Sequence, residues 1–341
     1  MYDYAVVTHI PAFYKVNLYN ELAKQLNIFV VFIASNTDEK RSNDFVTLED
    51  AKFKYEVLHH GNFQERDVFQ NIKKLRMIFQ KTSFKRLLVS GWDLGEFWYL
   101  VMTQPKIKNC LALESTIMES TSKGFKGLMK KIFLSRITTV LASGCLHVKL
   151  LKALGYNGEI KLTKGVGIIN KPVFTALKRE YRKRFLYIGR FSSVKNLKFL
   201  IAVFNELPEY SLTLIGDGEE FGNLKSLSKQ NIVFKESIEN KKLQEEFLGH
   251  DVFILPSLSE PWGLVVEEAL YFGLPVIASA QCGASELIAD AINGYVINPY
   301  EAQSLRKAIL NFNKQSYEKL VNGVSQFSIV AKDIHQVKVY L

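Results

Sequence analysis

The 341-residue chain is poor in cysteine: it has three, Cys110, Cys145 and Cys282. Their number is odd, and the sequence has neither a CxxC pair nor a Cys/His spacing typical of a metal site. A disulfide framework and a structural zinc site are therefore excluded as organising features. Because cytosolic proteins keep their thiols reduced, this cysteine usage favours a cytoplasmic protein.

Long apolar runs are also missing, and no run approaches the ~18 residues that a membrane-spanning helix needs. The N-terminal stretch MYDYAVVTHI lacks the basic and apolar regions of a signal peptide. The sequence has no helix-turn-helix, zinc-finger or RNA-binding pattern, so we expect no nucleic-acid partner.

Apolar residues are abundant: they make up 48% of the chain, which indicates a folded core rather than a disordered segment. A chain of this length usually forms two domains. Short β-branched runs alternate with amphipathic stretches, the last two of which predict helices at 284–290 and 301–313, and this alternation predicts α/β domains with parallel sheets. The stretch 165–184 has glycine, proline and a basic run without a clear period. It predicts a linker between domains at 1–165 and 166–341, and the last helix could pack back on the first domain.

The net charge of +10 is unevenly distributed along the chain. Residues 1–165 carry 24 Lys and Arg against 15 Asp and Glu, whereas residues 166–341 carry 20 against 19. In KGFKGLMKKIFLSR (123–136), apolar residues recur at helical spacing between basic residues. Such a helix can lie on an anionic membrane surface, which we therefore expect as a partner. Alternatively, it is an ordinary core-packed helix with a lysine-rich outer face.

The first candidate site is SLSEPWGLVVEEALYFGLPVIAS (257–279), in which Glu260 and Glu268 flank a Trp-Gly pair. A loop leads from a strand into a helix here, so the first N–H groups of the helix would point beyond the carboxyl end of the strand. These groups belong to Gly263, Leu264 and Val265. Phosphates bind at that end of open α/β sheets, and carboxylates accept hydrogen bonds from vicinal sugar hydroxyls. Alternatively, the acidic residues only complement the helix dipole.

Three more loops follow predicted strands of the second half. They are YIGRFSSVKNLKFL (187–200) with Gly189, Arg190 and Lys195, LIGDGEE (214–220) with Gly216, and CGASELI (282–288). An arginine fork and a lysine point charge suit a phosphate group, although a solvated basic turn has the same composition. Four such loops in one domain together describe a pocket for a sugar joined to a diphosphate.

With these motifs the second half resembles the family 4 retaining glycosyltransferases, also described as glycosyl transferases group 1. That family has a Gly-Arg…Lys-Asn turn, a Gly-Asp-Gly turn and a Glu-x7-Glu segment with Gly-Leu after the first glutamate. Here these are Gly189-Arg190…Lys195-Asn196, Gly216-Asp217-Gly218, and Glu260…Glu268 with Gly263-Leu264. The match covers about 160–315 and is loose in the first half. The resemblance implies the GT-B fold, two Rossmann-like domains whose parallel sheets face each other across a cleft.

The resemblance also implies roles. Arg190 and Lys195 would hold the diphosphate of a nucleotide-sugar donor, Glu260 and the backbone at Gly263-Leu264 would bind the donor sugar, Glu268 would bind the ribose, and residues 235–238 would lie near the base. The anomeric configuration would be retained. Because the sequence has no DxD triplet, positive charge and a helix N-terminus would neutralise the diphosphate, and we expect neither a metal nor another cofactor.

The first half departs from the family pattern at two places. HIPAFYKVN (9–17) lacks the glycine-rich loop of many members, and LALESTIMES (111–120) has Glu114 about where many members have a catalytic-site histidine. Glu114 would orient the acceptor hydroxyl or stabilise positive charge on the sugar ring. Alternatively, it is a buried structural acid, and Glu119 is then the next candidate.

Three further residues of the first half are candidates for acceptor contacts. His9 is a lone histidine at a strand end, for which a structural role is the alternative. Trp92 and Asp93 follow another predicted strand. Aromatic rings stack on sugar faces, so Trp92 could contact the acceptor, whereas Phe97 and Trp98 are expected to pack in the core.

These observations predict a cytoplasmic retaining glycosyltransferase, peripheral on the inner face of the cell membrane. The expected acceptor is a lipid-linked glycan in the synthesis of lipopolysaccharide, capsule or O-antigen. Two alternatives stay open: a transferase with a small soluble acceptor, and a catalytically silent GT-B subunit that binds glycan.

Overall fold

The computed structural model describes residues 1–39, 41–175 and 179–341, which form two compact units. Unit 1 contains Met1–Ile169 and Lys332–Leu341, and unit 2 contains Asn170–Ala331. The division lies a few residues beyond the predicted boundary at 165/166, and the last residues of the chain belong to unit 1 rather than to the second domain.

Unit 1 is built on a seven-stranded sheet of parallel strands in the order β3-β2-β1-β4-β5-β6-β7. Its elements are β1 (Tyr2–Thr8), α1 (Phe13–Ala23), β2 (Ile28–Asn36), β3 (Lys54–Asn62), α2 (Val68–Lys81), β4 (Phe84–Val89), α3 (Gly95–Thr103), β5 (Asn109–Leu113), α4 (Gly124–Leu134), β6 (Thr139–Ala142), α5 (Cys145–Ala153) and β7 (Glu159–Leu162).

Side chains along β1 alternate between the two faces of this sheet, as a strand requires. Ala5 and Val7 lie in a core cluster with residues of α2 to α5. Tyr4 and Val6 lie in a second cluster with residues of α1 and with Tyr340 near the end of the chain. Because helices cover both faces, the central strands are apolar throughout rather than alternating with polar residues.

Unit 2 has a six-stranded sheet of parallel strands in the order β10-β9-β8-β11-β12-β13. Its elements are β8 (Arg184–Ile188), α6 (Leu197–Asn205), β9 (Ser211–Ile215), α7 (Phe221–Leu227), β10 (Ile232–Lys235), α8 (Gln244–Gly249), β11 (Val252–Leu255), α9 (Leu264–Tyr271), β12 (Val276–Ser279), β13 (Gly294–Ile297), α10 (Ala302–Leu310), α11 (Lys314–Gln326) and the start of α12 (Ile329–Tyr340). The two parallel sheets confirm the predicted α/β fold class.

The sequence pattern missed three elements, β7, α11 and α12, and was wrong about one. The predicted helix at 284–290 is a 3₁₀ turn at Gly283–Leu287. The helix α11 contains Gly323, a residue that usually argues against a helix interior. The buried face of α12 includes Lys332, Asp333 and Gln336, so the sequence of this helix shows no continuous apolar stripe. Within the described part of the chain, no helix has the length and hydropathy that a membrane crossing needs.

Candidate active site

The loops after β8 and β9 meet backbone to backbone at the carboxyl end of the unit 2 sheet. The N–H group of Gly189 donates to the carbonyl oxygen of Ile215 at 3.0 Å. A Cβ atom on Gly216, whose φ is +149°, would lie 2.0 Å from the carbonyl oxygen of Gly189. A Cβ atom on Gly218 would lie 2.5 Å from the carbonyl oxygen of Phe191. The Gly-x-Gly spacing therefore exists because no side chain fits where these loops touch.

Lys195, in the loop after β8, forms an ion pair with Glu260, in the loop after β11. Each side chain is 15% exposed, so solvent reaches the edge of the pair. The next residue, Asn196, has a left-handed conformation with φ +60°. Its amide Nδ2 donates to the carbonyl oxygens of Pro256 at 3.3 Å and Pro299 at 2.9 Å. Asn196 therefore joins three strand-end loops and fixes the position of Lys195.

The loop that carries Glu260 is held in place by buried hydrogen bonds beneath it. The indole Nε1 of Trp262 donates to the carboxylate of Glu267 at 2.6 Å, and both residues are buried. The thiol of Cys282 donates to the carbonyl oxygen of Trp262 at 2.9 Å. Burial and the nearby charge of Glu260 raise the pKa of Cys282, so it stays a neutral thiol. Glu267 thus holds Trp262 in place, a role that the sequence did not predict.

The first turn of α9 lies beside Glu260. Its N-cap residue, Gly263, has φ +96°, and a Cβ atom there would lie 3.3 Å from Cγ of Glu260. Leu264 and Val265 follow in the first turn and are half-buried. Because the N-terminus of a helix carries partial positive charge, this turn and Lys195 together favour an anionic ligand.

Glu268 is buried on α9, one turn beyond that N-terminus. Its Oε1 accepts a hydrogen bond from Nδ2 of Asn240, and Oδ1 of Asn240 accepts one from Nδ2 of Asn170 at 2.8 Å. A cavity of about 310 Å³ is lined by Glu268, Asn240 and Asn170 together with Lys241 and Phe247. The carboxylate is thus held in one orientation at the wall of a cavity that is large enough for a pentose.

The other predicted donor residues of unit 2 lie at the same end of the sheet. Arg190 is exposed in the loop that also carries Lys195, and its carbonyl oxygen accepts a hydrogen bond from the hydroxyl of Tyr187 at 2.9 Å. Lys235 ends β10 and forms an ion pair with Glu246 at 2.6 Å. The geometry brings Lys195 and Glu260 into direct contact, which the sequence had only placed in neighbouring loops.

In unit 1, Glu114 follows β5 directly and forms an ion pair with Lys15 of α1. The Lys15 side chain is 8% exposed and that of Glu114 is 32% exposed. Burial alone would lower the pKa of Lys15, but the charge and hydrogen bond of Glu114, together with the nearby Tyr19 and Tyr14, outweigh it and the net pKa is raised. The ring Nε2 of buried His147 donates to the carbonyl oxygen of Glu114 at 3.1 Å. Burial lowers the pKa of His147 to about 4, so its ring is neutral.

A cavity of about 250 Å³ opens at the carboxyl ends of β1 and β2 next to this ion pair. Its wall combines the two ion-paired residues with a histidine, a second cation and aromatic rings. The residues that matter here are His9, Tyr14, Lys15, Arg41, Phe45 and Glu114. Carboxylate oxygens and aromatic faces in one small cavity suit the hydroxyls and the apolar face of a sugar.

The remaining acceptor candidates differ in their surroundings. His9 Nε2 lies 2.9 Å from Oδ2 of Asp93. Burial tends to raise the pKa of Asp93, but His9, a backbone hydrogen bond and the charge of Arg66 together outweigh it and the net pKa is lowered. Trp92 is partly buried, and its carbonyl oxygen accepts a hydrogen bond from the indole of Trp98 at 2.8 Å. Glu119 accepts a hydrogen bond from the backbone N–H of Thr116 at 2.9 Å, a local turn contact.

The sequence predicted no role for two residues of these sites. In the sequence, Lys15 has no role beyond its place in the glycine-free stretch 9–17, and only the fold places it against Glu114. Asn240 lies in a polar segment without a motif, and its contact with Glu268 spans 28 positions. No signal in one sequence could have identified either contact.

Among the described residues, no three His, Cys, Asp or Glu side chains are grouped so that they could hold a metal ion. The positive charge of the unit 2 site comes from Arg190, Lys195 and the first turn of α9. Guanidinium, ammonium and backbone N–H groups are the usual partners of phosphate oxygens. This arrangement can hold a diphosphate next to a carboxylate that accepts from hydroxyl groups.

Comparisons with known proteins agree with this description. A family profile described as Glycosyl transferases group 1 matches residues 171–324. An uncharacterized 41.2 kDa protein in the cps region of Klebsiella pneumoniae is 32% identical over 263 residues, which are 74% of this chain and 68% of that protein.

Two solved structures share the fold over nearly the whole chain. HepE from Anabaena in complex with UDP-glucose has a TM-score of 0.71 at 14% identity, with 98% of each chain covered. The lipopolysaccharide outer core galactosyltransferase WaaB in its apo form has a TM-score of 0.69 at 15% identity, with 97% of each chain covered. At these identities the likeness concerns the fold.

Proposed function

The chain belongs to the group 1 glycosyl transferases, and from this premise we propose that it is a retaining enzyme that uses a nucleotide-sugar donor and a glycan acceptor. It needs neither a metal ion nor another cofactor. The observation that carries the proposal is the contact between Lys195 and Glu260 beside the first turn of α9. This contact puts a cation for the diphosphate and an acceptor group for sugar hydroxyls at one place.

The cations of unit 2 stabilise the leaving diphosphate. Lysine has three N–H donors, so Nζ of Lys195 can hold Glu260 and still donate to a phosphate oxygen. Arg190 and the N–H groups at Gly263, Leu264 and Val265 supply further positive charge. As the bond from the anomeric carbon to the diphosphate oxygen breaks, these groups stabilise the negative charge that develops on that oxygen.

The acceptor hydroxyl attacks the anomeric carbon on the face that the diphosphate leaves, and the configuration is therefore retained. A bond forms from the acceptor oxygen to the anomeric carbon, and the hydroxyl proton passes to the departing diphosphate oxygen. No protein nucleophile is needed, so positioning and electrostatics account for the catalysis. Glu260 holds the donor sugar, and Glu268, oriented by Asn240, accepts from the ribose hydroxyls.

Unit 1 contributes the acceptor-binding groups. Its strand-end cavity is lined by His9 and Glu114, and the ion pair with Lys15 holds the Glu114 carboxylate in one orientation. A carboxylate at this place orients the acceptor hydroxyl and stabilises positive charge on the sugar ring. Asp93, which pairs with His9, and the preceding residue Trp92 extend the acceptor contacts.

The acceptor is a lipid-linked glycan in the synthesis of a surface polysaccharide such as capsule, O-antigen or lipopolysaccharide. A relative encoded in a cps region and a fold shared with a lipopolysaccharide galactosyltransferase support this class. The nucleotide of the donor is UDP. The support for this is HepE, a protein of similar fold that was solved in complex with UDP-glucose. The enzyme works in the cytoplasm on the inner face of the membrane.

The test is a panel of UDP-, GDP- and dTDP-sugars in which nucleotide release is followed by mass spectrometry with and without EDTA. We expect slow hydrolysis of one donor that EDTA does not change and that Glu260→Gln abolishes. Glu318→Gln, an exposed carboxylate on α11, is the matched control and keeps the rate. Donor binding without turnover, even with glycan acceptors present, would favour the silent glycan-binding subunit.

The acceptor and the stereochemistry are tested with the donor so identified. Transfer is assayed with lipid-diphosphate glycans and with the same glycans lacking lipid, and the new anomeric centre is assigned by NMR. Retention and a clear preference for the lipid-linked form are expected. Equal rates with both acceptors would favour the soluble-acceptor enzyme, and an inverted product would overturn the retaining mechanism.

A further inference from the structure

The helix α4 exposes an apolar stripe on its outer face. Phe125 is 75% exposed, Leu128 54% and Ile132 43%. Their spacing of three and four residues puts them on one side of the helix, and we call them the α4 stripe. The inner face is already packed, because Phe133 and Leu134 are buried in the unit 1 core. The stripe is therefore a second apolar surface, of the kind that marks an interaction site.

The charged residues of α4 itself are all basic. The helix contains three lysines and no acidic residue, and Lys123 precedes it. Lys123, Lys126 and Lys131 are exposed. Over the described ranges none of these three is in an ion pair. Exposed apolar side chains ringed by uncompensated positive charge are complementary to an anionic lipid surface.

Lys130 has a different role from the other lysines of α4. Its Nζ donates to Oγ of Ser120 and to the carbonyl oxygen of Thr121, and it lies 5.5 Å from the centre of the Trp92 ring. Burial, with the charge of Lys126, lowers the pKa of Lys130. Lys130 thus ties α4 to the loop that precedes it, and the stripe is held in one orientation.

The neighbouring helices extend this surface. The helix α3 contacts both α2 and α4, and all three pack on the same core cluster. The outer side of α2 exposes Phe69 and Met77. The exposed Asp67 caps the start of α2, but the 14 residues of the helix itself contain no acid, and its basic residues are Lys73, Lys74, Arg76 and Lys81. The mixture of exposed apolar and basic residues is therefore shared by two helices of one layer.

The start of this surface lies at the carboxyl edge of the unit 1 sheet. Helices that connect parallel strands run back against them, so α2 and α4 begin at that edge. Phe69 and Phe125 are the second residues of their helices. The same edge carries Glu114 and the 250 Å³ cavity.

We propose that the α4 stripe, with the start of α2 on the other side of α3, docks unit 1 on an anionic phospholipid surface. Phe125 and Leu128 enter the boundary between headgroups and acyl chains, and the free lysines contact lipid phosphates. A second copy of this chain fits less well, because a symmetric contact would bring the same positive charges together. Docking itself does not depend on the proposed function. Its consequence does: a lipid-linked acceptor would reach the cavity edge without leaving the bilayer.

The test is sedimentation of the full chain with vesicles of phosphatidylcholine alone or mixed with phosphatidylglycerol. We expect binding to the mixed vesicles only, and release as the salt concentration rises. Phe125→Ser/Leu128→Ser should weaken binding at least about tenfold, since two buried apolar side chains are lost. Lys123→Ala/Lys126→Ala should weaken it on the order of 25-fold, because each lysine near an anionic surface contributes roughly fivefold.

Matched controls come from unit 2. Two charges are removed by Lys314→Ala/Lys319→Ala, and two exposed apolar side chains are removed by Leu227→Ser/Leu310→Ser. Both double variants should bind vesicles like the wild type. Circular dichroism shows that each variant is folded. Vesicle binding is measured without any donor, and donor hydrolysis is measured without vesicles, so a failure of the proposed function and a failure of docking are read from separate assays. Equal binding to both vesicle types, unchanged binding of the α4 variants, or a dimer that Phe125→Ser/Leu128→Ser dissociates would overturn the proposal.

Discussion

The carboxyl ends of the two sheets are built in different ways. In unit 2 the loops after β8 and β9 meet through backbone contacts that exclude a side chain at Gly216, and the side-chain contacts of Lys195 and Asn196 are added to this backbone junction. In unit 1 the same edge is joined by side-chain pairs that are far apart in sequence, Lys15 with Glu114 and His9 with Asp93. A backbone contact requires glycine at a fixed spacing, whereas a side-chain pair requires only two complementary residues anywhere in the chain. The first kind of edge leaves a motif and the second does not.

The largest effect is expected at the cation of the unit 2 edge. Lys195→Met removes a charge that stabilises the leaving diphosphate, so donor turnover should fall about 100- to 1000-fold. Lys229→Met, an exposed lysine of the same unit, should keep the wild-type rate. The measurement is nucleotide release at saturating donor. A fall of less than a few fold would mean that the motif has only a structural role.

The second effect tests whether the backbone contact holds unit 2 together. Gly216→Ala forces a Cβ atom against the carbonyl oxygen of Gly189, and the free energy of unfolding should fall by about 3 kcal/mol. Gly222→Ala on α7 is the control, because nothing lies within 4 Å of its Cβ position. It should be neutral or stabilise the helix by up to ~1 kcal/mol. Denaturant titration measures both, and similar losses in the two variants would contradict the comparison.

The third effect belongs to the unit 1 edge and depends on pH. The pKa of His147 falls from 6.5 in the unfolded chain to about 4 in the folded one. The unfolded chain therefore binds the proton first, so stability is complete above pH 6.5 and falls as the pH approaches 4. Between pH 7 and pH 5 the loss should be about 2 kcal/mol. His147→Gln should flatten the pH profile of the unfolding free energy; an unchanged profile would assign the pH dependence to another group.

The smallest effect distinguishes the partners of the unit 1 ion pair. Glu114→Gln leaves the charge of the buried Lys15 without compensation, whereas Lys15→Met leaves a carboxylate that water can reach. Glu114→Gln should therefore destabilise the protein by about 1 kcal/mol more than Lys15→Met does. The double variant should recover part of the loss, as a double-mutant cycle by thermal unfolding would show. Equal losses would mean that the pair is solvated.

The difference between backbone contacts and distant side-chain pairs explains how much of the structure the sequence could predict. The α/β class and the strand-end loops of unit 2 were predictable, because apolar runs and glycine spacing follow directly from the backbone. The contact of Asn240 with Glu268 was not, since no local pattern specifies a hydrogen bond between distant side chains. The helices α11 and α12 were missed because Gly323 and the buried polar residues of α12 obscure their apolar faces.

The segment 123–136 marks another limit of the sequence. Its periodicity correctly predicted a helix, but an apolar stripe has the same spacing whether it is buried or exposed. The structure divides the apolar residues: Phe133 is in the core, whereas Phe125 and Leu128 are exposed. Burial depends on which neighbours a helix meets, and only the fold determines those neighbours.

The return of residues 332–341 to unit 1 has a consequence for synthesis of the chain. Val337 and Tyr340 belong to a core cluster of unit 1, and the carbonyl oxygen of Tyr340 accepts a hydrogen bond from the hydroxyl of Tyr4 at 3.0 Å. The ribosome makes the first strand of this unit at the start of translation and its closing helix more than 300 residues later. Unit 2 can therefore finish folding first. Unit 1, most of which is made earlier, still lacks the last helix of its core at that time.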